Sequence, residues 1–221
     1  MHPDWLVPDW DAPNVGALMT TRRGGISAIA ATPVYLKQVH GARVVRLGRA
    51  DAQPGAPVHE ADACVTTERG IACTAQVADC LPVLFAARGG VAAAHAGWRG
   101  LAAGVLEVTL RTLCEAAACE PSQVQTWLGA CIGPRSFEVG ADVLRAFGAA
   151  EDASDPSRFK PNAPCKWLAN LPQLARDRLT ACGVVSIGGG EWCTVEDTSR
   201  FFSYRRERIT GRMVAAVWLR D

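Results

Sequence analysis

The chain has 221 residues, a formal net charge of +1 at pH 7 and nine cysteines without a CxxC pair. This composition excludes a strongly basic nucleic-acid surface, a polybasic membrane anchor and a disulfide framework. The N-terminus lacks the basic end and apolar run of a signal peptide, and no apolar stretch reaches membrane-spanning length, so we expect a single cytoplasmic domain over residues 1–221.

The first part of the chain predicts short strands joined by glycine-containing turns. After an irregular lead-in, a strand at 17–21 ends in Arg22-Arg23-Gly24-Gly25, either a mobile turn or a loop where guanidinium groups approach an anion. Residues 34–45 are rich in β-branched side chains and are interrupted by His40. We therefore expect two short strands, or one bulged strand, with His40 at the bend.

A thiol follows between two apolar strands. Residues 61–67 and 71–77 predict strands, and Asp79-Cys80-Leu81-Pro82 then precedes the apolar run at 83–87. Proline cannot donate to a sheet ladder, so a strand must break near Cys80. Asp79 either closes a turn beside a buried, structural Cys80 or flanks a thiol that takes part in chemistry.

Residues 91–104 predict a strand, a tight turn and the start of a helix. His95 stands at the carboxyl end of that strand, and Gly97-Trp98-Arg99-Gly100 stands at the helix N-terminus. Free backbone N–H groups and the Arg99 guanidinium would suit an anion there. The alternative is a glycine-tightened turn with Arg99 in a structural ion pair. The helix itself is predicted over 101–118.

The second half of the chain continues the mixture of strands and helices. A strand is predicted at 123–132, a short helix ends at Gly148, and a polar loop covers 149–166. Asn170 is the predicted N-cap of a helix that ends at Gly183. Residues 184–187 and 213–219 predict buried strands, and the stretch from 201 to 212 predicts a hairpin that closes the sheet.

Three metal-ligand side chains share one kind of position. His40, Cys80 and His95 each stand at a strand end beside a turn. A catalytic zinc takes three protein ligands and leaves a fourth position open, whereas a structural zinc takes four ligands, often in closely spaced pairs. If these three residues converge, a catalytic metal site is the natural outcome.

Seven motifs along nearly the whole chain resemble the YfiH family. They are Thr20-Thr21-Arg22-Arg23-Gly24-Gly25, Gln38-Val39-His40-Gly41, Ala61-Asp62-Ala63, Ala78-Asp79-Cys80-Leu81-Pro82-Val83, His95-Ala96-Gly97-Trp98-Arg99-Gly100, Gly133-Pro134 with Phe137-Glu138-Val139-Gly140, and Phe201-Phe202-Ser203-Tyr204-Arg205. That family was once described as multicopper polyphenol oxidase or laccase, and is now understood as purine nucleoside phosphorylase with adenosine deaminase and methylthioadenosine phosphorylase activities.

The resemblance implies an α+β fold, a layered sandwich of mixed sheets flanked by helices. It also implies that His40, Cys80 and His95 bind zinc, with copper possible, in an enzyme whose partners are a purine nucleoside and phosphate and whose state is monomer or homodimer. One departure is that only residues 26–34 separate the Arg-Gly-Gly loop from the Gln-Val-His-Gly motif, fewer than in the family. Any substrate contact made by the shortened stretch is not carried over.

The two family reactions suggest roles for further residues. In deamination, a metal-bound water would attack purine C6 while a carboxylate carries the proton, with Asp79 the first candidate and Glu138 the second. In phosphorolysis, phosphate attacks the ribose anomeric carbon, and Arg99 with the turn at Gly97 would bind it.

Three other residues are candidates for substrate binding. Arg22 or Arg23 would add positive charge beside the phosphate. Trp98 either stacks on the base or packs in the core.

Three other functions compete with this interpretation. Cys80 activated by His40 or His95 would make a cysteine hydrolase, although a bound metal would blunt the sulfur as a nucleophile. A copper-dependent phenol oxidoreductase of the multicopper type needs many more histidines than the four present. A metal-storage protein could use the same three ligands, but three ligands with arginines and carboxylates nearby favour a reactive site.

Overall fold

The computed structural model describes residues 3–26, 29–150 and 155–220. The strands in these residues are β1 (Val15–Met19), β2 (Thr32–Val34), β3 (Val44–Arg46), β4 (Ala63–Thr66), β5 (Ile71–Val77), β6 (Leu81–Ala87), β7 (Gly90–Ala96), β8 (Gln125–Leu128), β9 (Glu138–Val139), β10 (Phe159–Ala163), β11 (Lys166–Ala169), β12 (Ser186–Gly189) and β13 (Met213–Leu219). The α-helices are α1 (Trp98–Ala102), α2 (Val105–Ala117), α3 (Ala141–Ala146), α4 (Leu171–Ala181) and α5 (Tyr204–Glu207). Of the helices described, none has the length and apolar character needed to cross a membrane.

A six-stranded mixed sheet forms the middle layer. Its strand order is β12-β8-β6-β7-β4-β3. The two edge pairs, β12 with β8 and β4 with β3, are parallel, and the three inner pairs are antiparallel. Strands β6 and β7 are adjacent in this sheet and are buried along their whole length. A strand in the middle layer must bury both of its faces, which explains why these two segments read as continuous apolar runs.

A four-stranded sheet covers one face of the middle layer. Its order is β1-β13-β5-β2, and β2 alone runs parallel to its neighbour. Alternate residues of the middle sheet, such as Leu84 and Ala93, pack against this second sheet, where they meet Met19 and Val217. Strands β10, β11 and β9 form a separate three-stranded antiparallel sheet.

Helices cover the opposite face of the middle sheet. Val83 and Phe85, which alternate with Leu84 along β6, pack into a second core with Leu106 of α2 and Leu174 of α4. Burying such side chains contributes about 2 kcal/mol each. The predicted α+β sandwich of mixed sheets flanked by helices is confirmed.

Helix α2 lies close to β7 because that strand carries small side chains. A Cβ on Gly90 would lie 3.0 Å from Leu113 Cδ1 and 3.3 Å from Ala117 Cβ. The small residues of the sequence Gly-Val-Ala-Ala-Ala therefore allow the helix layer to approach the sheet closely. This close packing holds in place the strand that carries His95.

Several predicted elements differ from the structure. The helix predicted from residue 101 is two helices, because Gly104 takes a left-handed conformation with φ 90° between α1 and α2. The strand predicted at 184–187 lies two residues later, as β12 (Ser186–Gly189), and its predicted burial is wrong, since it is a partly open edge strand and Val185 is 78% exposed. The loop predicted at 149–166 contains β10, and its residues 151–154 lie outside the described residues.

The hairpin predicted between residues 201 and 212 is also wrong. Helix α5 occupies that stretch, and the Ser203 hydroxyl caps it by accepting a hydrogen bond from the Arg206 N–H at 3.2 Å. By contrast, the predicted start of α4 is confirmed, since the Asn170 side chain accepts from the Gln173 N–H at 3.1 Å.

Candidate metal centre

Sheet register brings Cys80 and His95 to the same face. Pro82 pairs with His95 across β6 and β7, and side chains directly opposite in a sheet share a face. Cys80 precedes Pro82 by two residues and so points to that same face, toward the four-stranded sheet. The break between β5 and β6 predicted from Pro82 leaves Cys80 in the turn, half-buried, at the end of the sheet.

A buried carboxylate holds the loop that carries His40. Asp62 is 1% exposed and precedes β4. Its carboxylate accepts hydrogen bonds from the backbone N–H groups of His40 at 2.8 Å and Gly41 at 2.7 Å. These bonds support the left-handed conformation of His40, with φ 62°, at the bend predicted from the sequence.

The same carboxylate orients the second histidine. The Nδ1 atom of His95 lies 2.8 Å from Asp62 Oδ1, which leaves Nε2 of the ring for a ligand. A carboxylate in this position fixes the tautomer and raises the basicity of a metal-binding imidazole. Asp62 therefore positions both histidines, a role that the sequence did not reveal.

The three side chains converge. The donor atoms of His40, Cys80 and His95 lie within 4.8 Å of one another, and Cys80 Sγ is 3.8 Å from His40 Nε2. Sulfur and nitrogen ligands of a tetrahedral zinc are about 3.5 Å apart, given bond lengths near 2.3 and 2.0 Å. The donor set, its spacing and the Asp62 carboxylate behind it fit a zinc ion with one open position.

Opposing effects set the pKa values of Cys80, His95 and Asp62. Burial raises the pKa of Cys80, but hydrogen bonds and charge from His40 and His95 outweigh it and lower that pKa to about 6. Burial lowers the pKa of His95, yet the hydrogen bonds to Asp62 and Cys80 raise it to about 9. Burial likewise raises the pKa of Asp62, and the His95 and backbone hydrogen bonds reverse this to a net lowering.

A glycine leaves room for the Cys80 and His40 side chains. A Cβ on Gly97 would lie 3.0 Å from Cys80 Sγ and 3.1 Å from His40 Cδ2. Gly97 has φ −63°, which any residue can adopt, so the requirement for glycine here is spatial and not conformational.

The three side chains face a cleft of about 550 Å³, a volume within the range of small-molecule sites. The cleft is lined by Leu36, Gln38, His40, Gln76, Val77, Ala78, Cys80, His95, Tyr204 and Arg212. Tyr204, Arg212 and Gln76 were not predicted as site residues. Of these three residues, only Tyr204 belongs to one of the motifs found in the sequence, the Phe201–Arg205 motif.

The predicted carboxylates do not line this cleft. The Asp79 carboxylate accepts hydrogen bonds from the Thr194 hydroxyl at 2.5 Å and the Arg205 N–H at 2.6 Å. It therefore joins the Cys80 turn to the start of α5. Glu138 lies exposed on β9, where its carboxylate accepts from the Asn162 amide at 2.8 Å.

The predicted cationic residues lie outside the cleft as well. Arg22 is 3.8 Å from a Glu207 oxygen and its guanidinium lies 5.0 Å from the centre of the Phe202 ring. Arg23 is exposed. Arg99 is exposed with its guanidinium 4.4 Å from the Trp98 ring, and Trp98 packs against the core beneath the helices.

Comparison with known proteins gives a consistent family. The sequence model described as "Multi-copper polyphenol oxidoreductase laccase" matches residues 19–220. The chain is 44% identical over 250 residues to a purine nucleoside phosphorylase of Pseudomonas aeruginosa, covering 98% of this chain and 99% of the relative. It is 41% identical over 248 residues to the purine nucleoside phosphorylase YfiH of Escherichia coli, covering 97% and 98%. These alignments exceed the 221 residues of the chain, so the relatives carry residues that it lacks.

Solved structures share the fold. A Neisseria meningitidis protein described as DUF152 superimposes with a TM-score of 0.85 at 38% identity, covering 99% of this chain and all of that one. YlmD from Geobacillus stearothermophilus superimposes with a TM-score of 0.87 at 26% identity, covering 100% and 98%.

Proposed function

The chain belongs to the YfiH family, whose sequence model carries the laccase description, and on that premise we propose that it is a purine nucleoside phosphorylase. The observation that carries the proposal is the convergence of His40, Cys80 and His95 on one cleft. Relatives that align over nearly the full chain are named for this activity, which supports an enzyme acting on purine nucleosides.

We propose that His40, Cys80 and His95 hold zinc, with copper as the alternative ion. Two imidazole nitrogens and one thiolate suit either metal. When bound, the ion supplies Lewis-acid polarisation of a substrate oxygen. The protein contributes fixed ligand orientation through Asp62, which holds the His40 loop and the His95 ring from one buried carboxylate.

Phosphorolysis is better supported than deamination. Phosphorolysis needs positive charge and hydrogen-bond donors beside the ribose, and the cleft offers Arg212 and Gln76. Deamination needs a proton carrier, yet none of the described residues that line the cleft is Asp or Glu. Deamination is therefore ranked below phosphorolysis, since Asp79, the proton carrier suggested by the sequence, accepts hydrogen bonds from Thr194 and Arg205 outside the cleft.

The experiment is an assay of zinc-loaded protein with adenosine, with and without phosphate, that separates adenine, inosine and hypoxanthine. We expect adenine that depends on phosphate, is lost in Cys80→Ala and is retained in Cys165→Ala, which changes an exposed cysteine away from the cleft. Inosine formed without phosphate would establish deamination as the main activity. Formation of neither product would refute the proposal.

A cysteine hydrolase is the second candidate, favoured by one observation. Cys80 Sγ lies 3.8 Å from His40 Nε2, the arrangement of a thiolate beside an imidazole. Zinc on the sulfur would suppress its reactivity, so alkylation of Cys80 distinguishes the two functions. Rapid alkylation in zinc-replete protein would favour the hydrolase, and protection by zinc favours the phosphorylase. The cytoplasmic location and the oligomeric state, monomer or homodimer, stay predictions.

A further inference from the structure

One arginine is found among the described residues that line the cleft, and sheet register places it near the Cys80 turn. Strand β13 pairs antiparallel with β5, with Met213 opposite Val77. Extending this register by one residue places Arg212 beside Ala78, two residues before Cys80. Arg212 lines the same cleft as the three ligands.

Arg212 is a cation without an anionic partner in the part of the chain that the structure describes. Its guanidinium donates to the carbonyl oxygens of Thr210 at 3.2 Å and Gly211 at 3.1 Å. Arg206 of helix α5 differs, since it pairs with Glu207 at 2.9 Å. A guanidinium with unused donors in a concave site is suited to a bidentate oxyanion such as phosphate.

The segment that carries Arg212 is held in place. The Thr210 hydroxyl donates to Glu207 at 2.8 Å, and a Cβ on Gly211 would lie 2.7 Å from the Phe202 ring. These contacts fix the turn between α5 and β13. The guanidinium is therefore presented to the cleft by a supported turn, which lowers the entropic cost of binding an anion.

An aromatic side chain stands at the other end of the same segment. Tyr204 is the first residue of α5, lines the cleft and is 48% exposed. A half-exposed aromatic ring on a cleft wall can stack on the face of a planar base.

We propose that Arg212 binds the phosphate co-substrate and that Tyr204 stacks on the purine base. This inference rests on the proposed function. In the reaction, an oxygen of hydrogen phosphate forms a bond to ribose C1′ while the C1′–N9 bond breaks. The electron pair of that bond goes to N9, and the proton of hydrogen phosphate is transferred to the purine. Arg212 holds the attacking phosphate, a role that the sequence had suggested for Arg99.

The test measures binding of inorganic phosphate by calorimetry on zinc-loaded protein, and the KM for phosphate in adenine release. Arg212→Gln should raise both the dissociation constant and the KM for phosphate at least tenfold, as expected for loss of a charge-assisted hydrogen bond. Arg212→Lys should recover part of the lost affinity. The matched control is Arg88→Gln, which changes an exposed arginine in the turn between β6 and β7. Thermal unfolding and zinc content verify that each variant is folded and loaded.

Each outcome decides the proposal. Wild-type phosphate affinity in Arg212→Gln, loss of affinity in Arg99→Gln instead, or no phosphate binding by the wild type would overturn it. If phosphate binding depends on Arg212 but no nucleoside is cleaved, the phosphate site stands and the proposed function fails.

The proposed stacking of Tyr204 on the purine base is tested by a separate measurement. Tyr204→Ala should raise the KM for adenosine about tenfold, whereas Tyr204→Phe should keep it within twofold because the ring remains. An unchanged KM in Tyr204→Ala would refute the stacking role.

Discussion

Replacement of Asp62 by asparagine should weaken both the metal centre and the fold. Asp62 Oδ1 bonds His95 Nδ1 and the His40 N–H, and Oδ2 accepts from Gly41 at 2.7 Å and Val39 at 3.3 Å. An asparagine keeps one of these oxygens. Its amide NH2 would then face backbone N–H groups, leaving donors unpaired in a buried site.

The magnitude follows from the number of hydrogen bonds lost. Loss of a carboxylate behind a metal-binding histidine typically costs 10- to 100-fold in metal affinity, or about 1.4–2.7 kcal/mol. Hydrogen bonds to a charged group contribute about 1.5–3 kcal/mol each, so losing one or two should lower the free energy of unfolding by about 2–4 kcal/mol. We therefore expect Asp62→Asn to fold with reduced stability and to bind zinc at least tenfold more weakly.

The assay is a competition titration of zinc against a chromophoric chelator, with urea unfolding on the zinc-free protein. Asp51→Asn is the matched control, because Asp51 also pairs with a histidine, His59, at 2.7 Å but lies outside the cleft. That control should leave zinc affinity within twofold. Zinc affinity equal to the wild type in Asp62→Asn would refute the positioning role of the carboxylate.

Three further predictions concern the centre and the core. Gly97→Ala should reduce zinc affinity several-fold in the same titration, because its Cβ would crowd Cys80 and His40, whereas Gly25→Ala, with nothing within 4 Å, should not; equal affinities would contradict this. With the pKa of Cys80 near 6 and that of His95 near 9, zinc at pH 8 should displace about one proton from these two ligands, so affinity rises with pH between those values. A pH indicator in weak buffer measures the release, and two protons from this pair would contradict the lowered thiol pKa. Phe85→Ala should lower the free energy of unfolding by about 3–5 kcal/mol in urea, since Phe85 is fully buried between sheet and helices; a loss below 1 kcal/mol would contradict that packing.

The sequence predicted the three converging side chains better than their surroundings. Each of His40, Cys80 and His95 follows from a local signal, a strand ending at a turn, and the alternation of a strand determines which face a side chain occupies. The register that joins Cys80 to His95 involves the neighbouring strands β6 and β7, linked by a short turn, whereas Asp62 holds His40 from the residue before β4. Local sequence patterns were therefore enough to identify these three side chains.

Arg212 and Tyr204 could not be found in this way. Arg212 reaches the cleft because β13 pairs with β5, which lies more than a hundred residues earlier in the chain. Tyr204 reaches it because the neighbouring Arg205 N–H donates to the distant Asp79. The burial of β12 was mispredicted for a related reason, since an apolar segment at a sheet edge is covered only if another layer reaches it. Arg99 had suitable chemistry, but the direction of its side chain is set by the short helix α1.

The most direct test of the central claim is phosphorus NMR of zinc-loaded protein mixed with adenosine and inorganic phosphate. The account predicts a ribose 1-phosphate resonance that grows with adenine release, disappears after chelation of the metal and is missing in Cys80→Ala. A ribose 1-phosphate signal that survives both chelation and loss of Cys80, or no such signal from the wild type, would contradict phosphorolysis at the His40, Cys80 and His95 cluster.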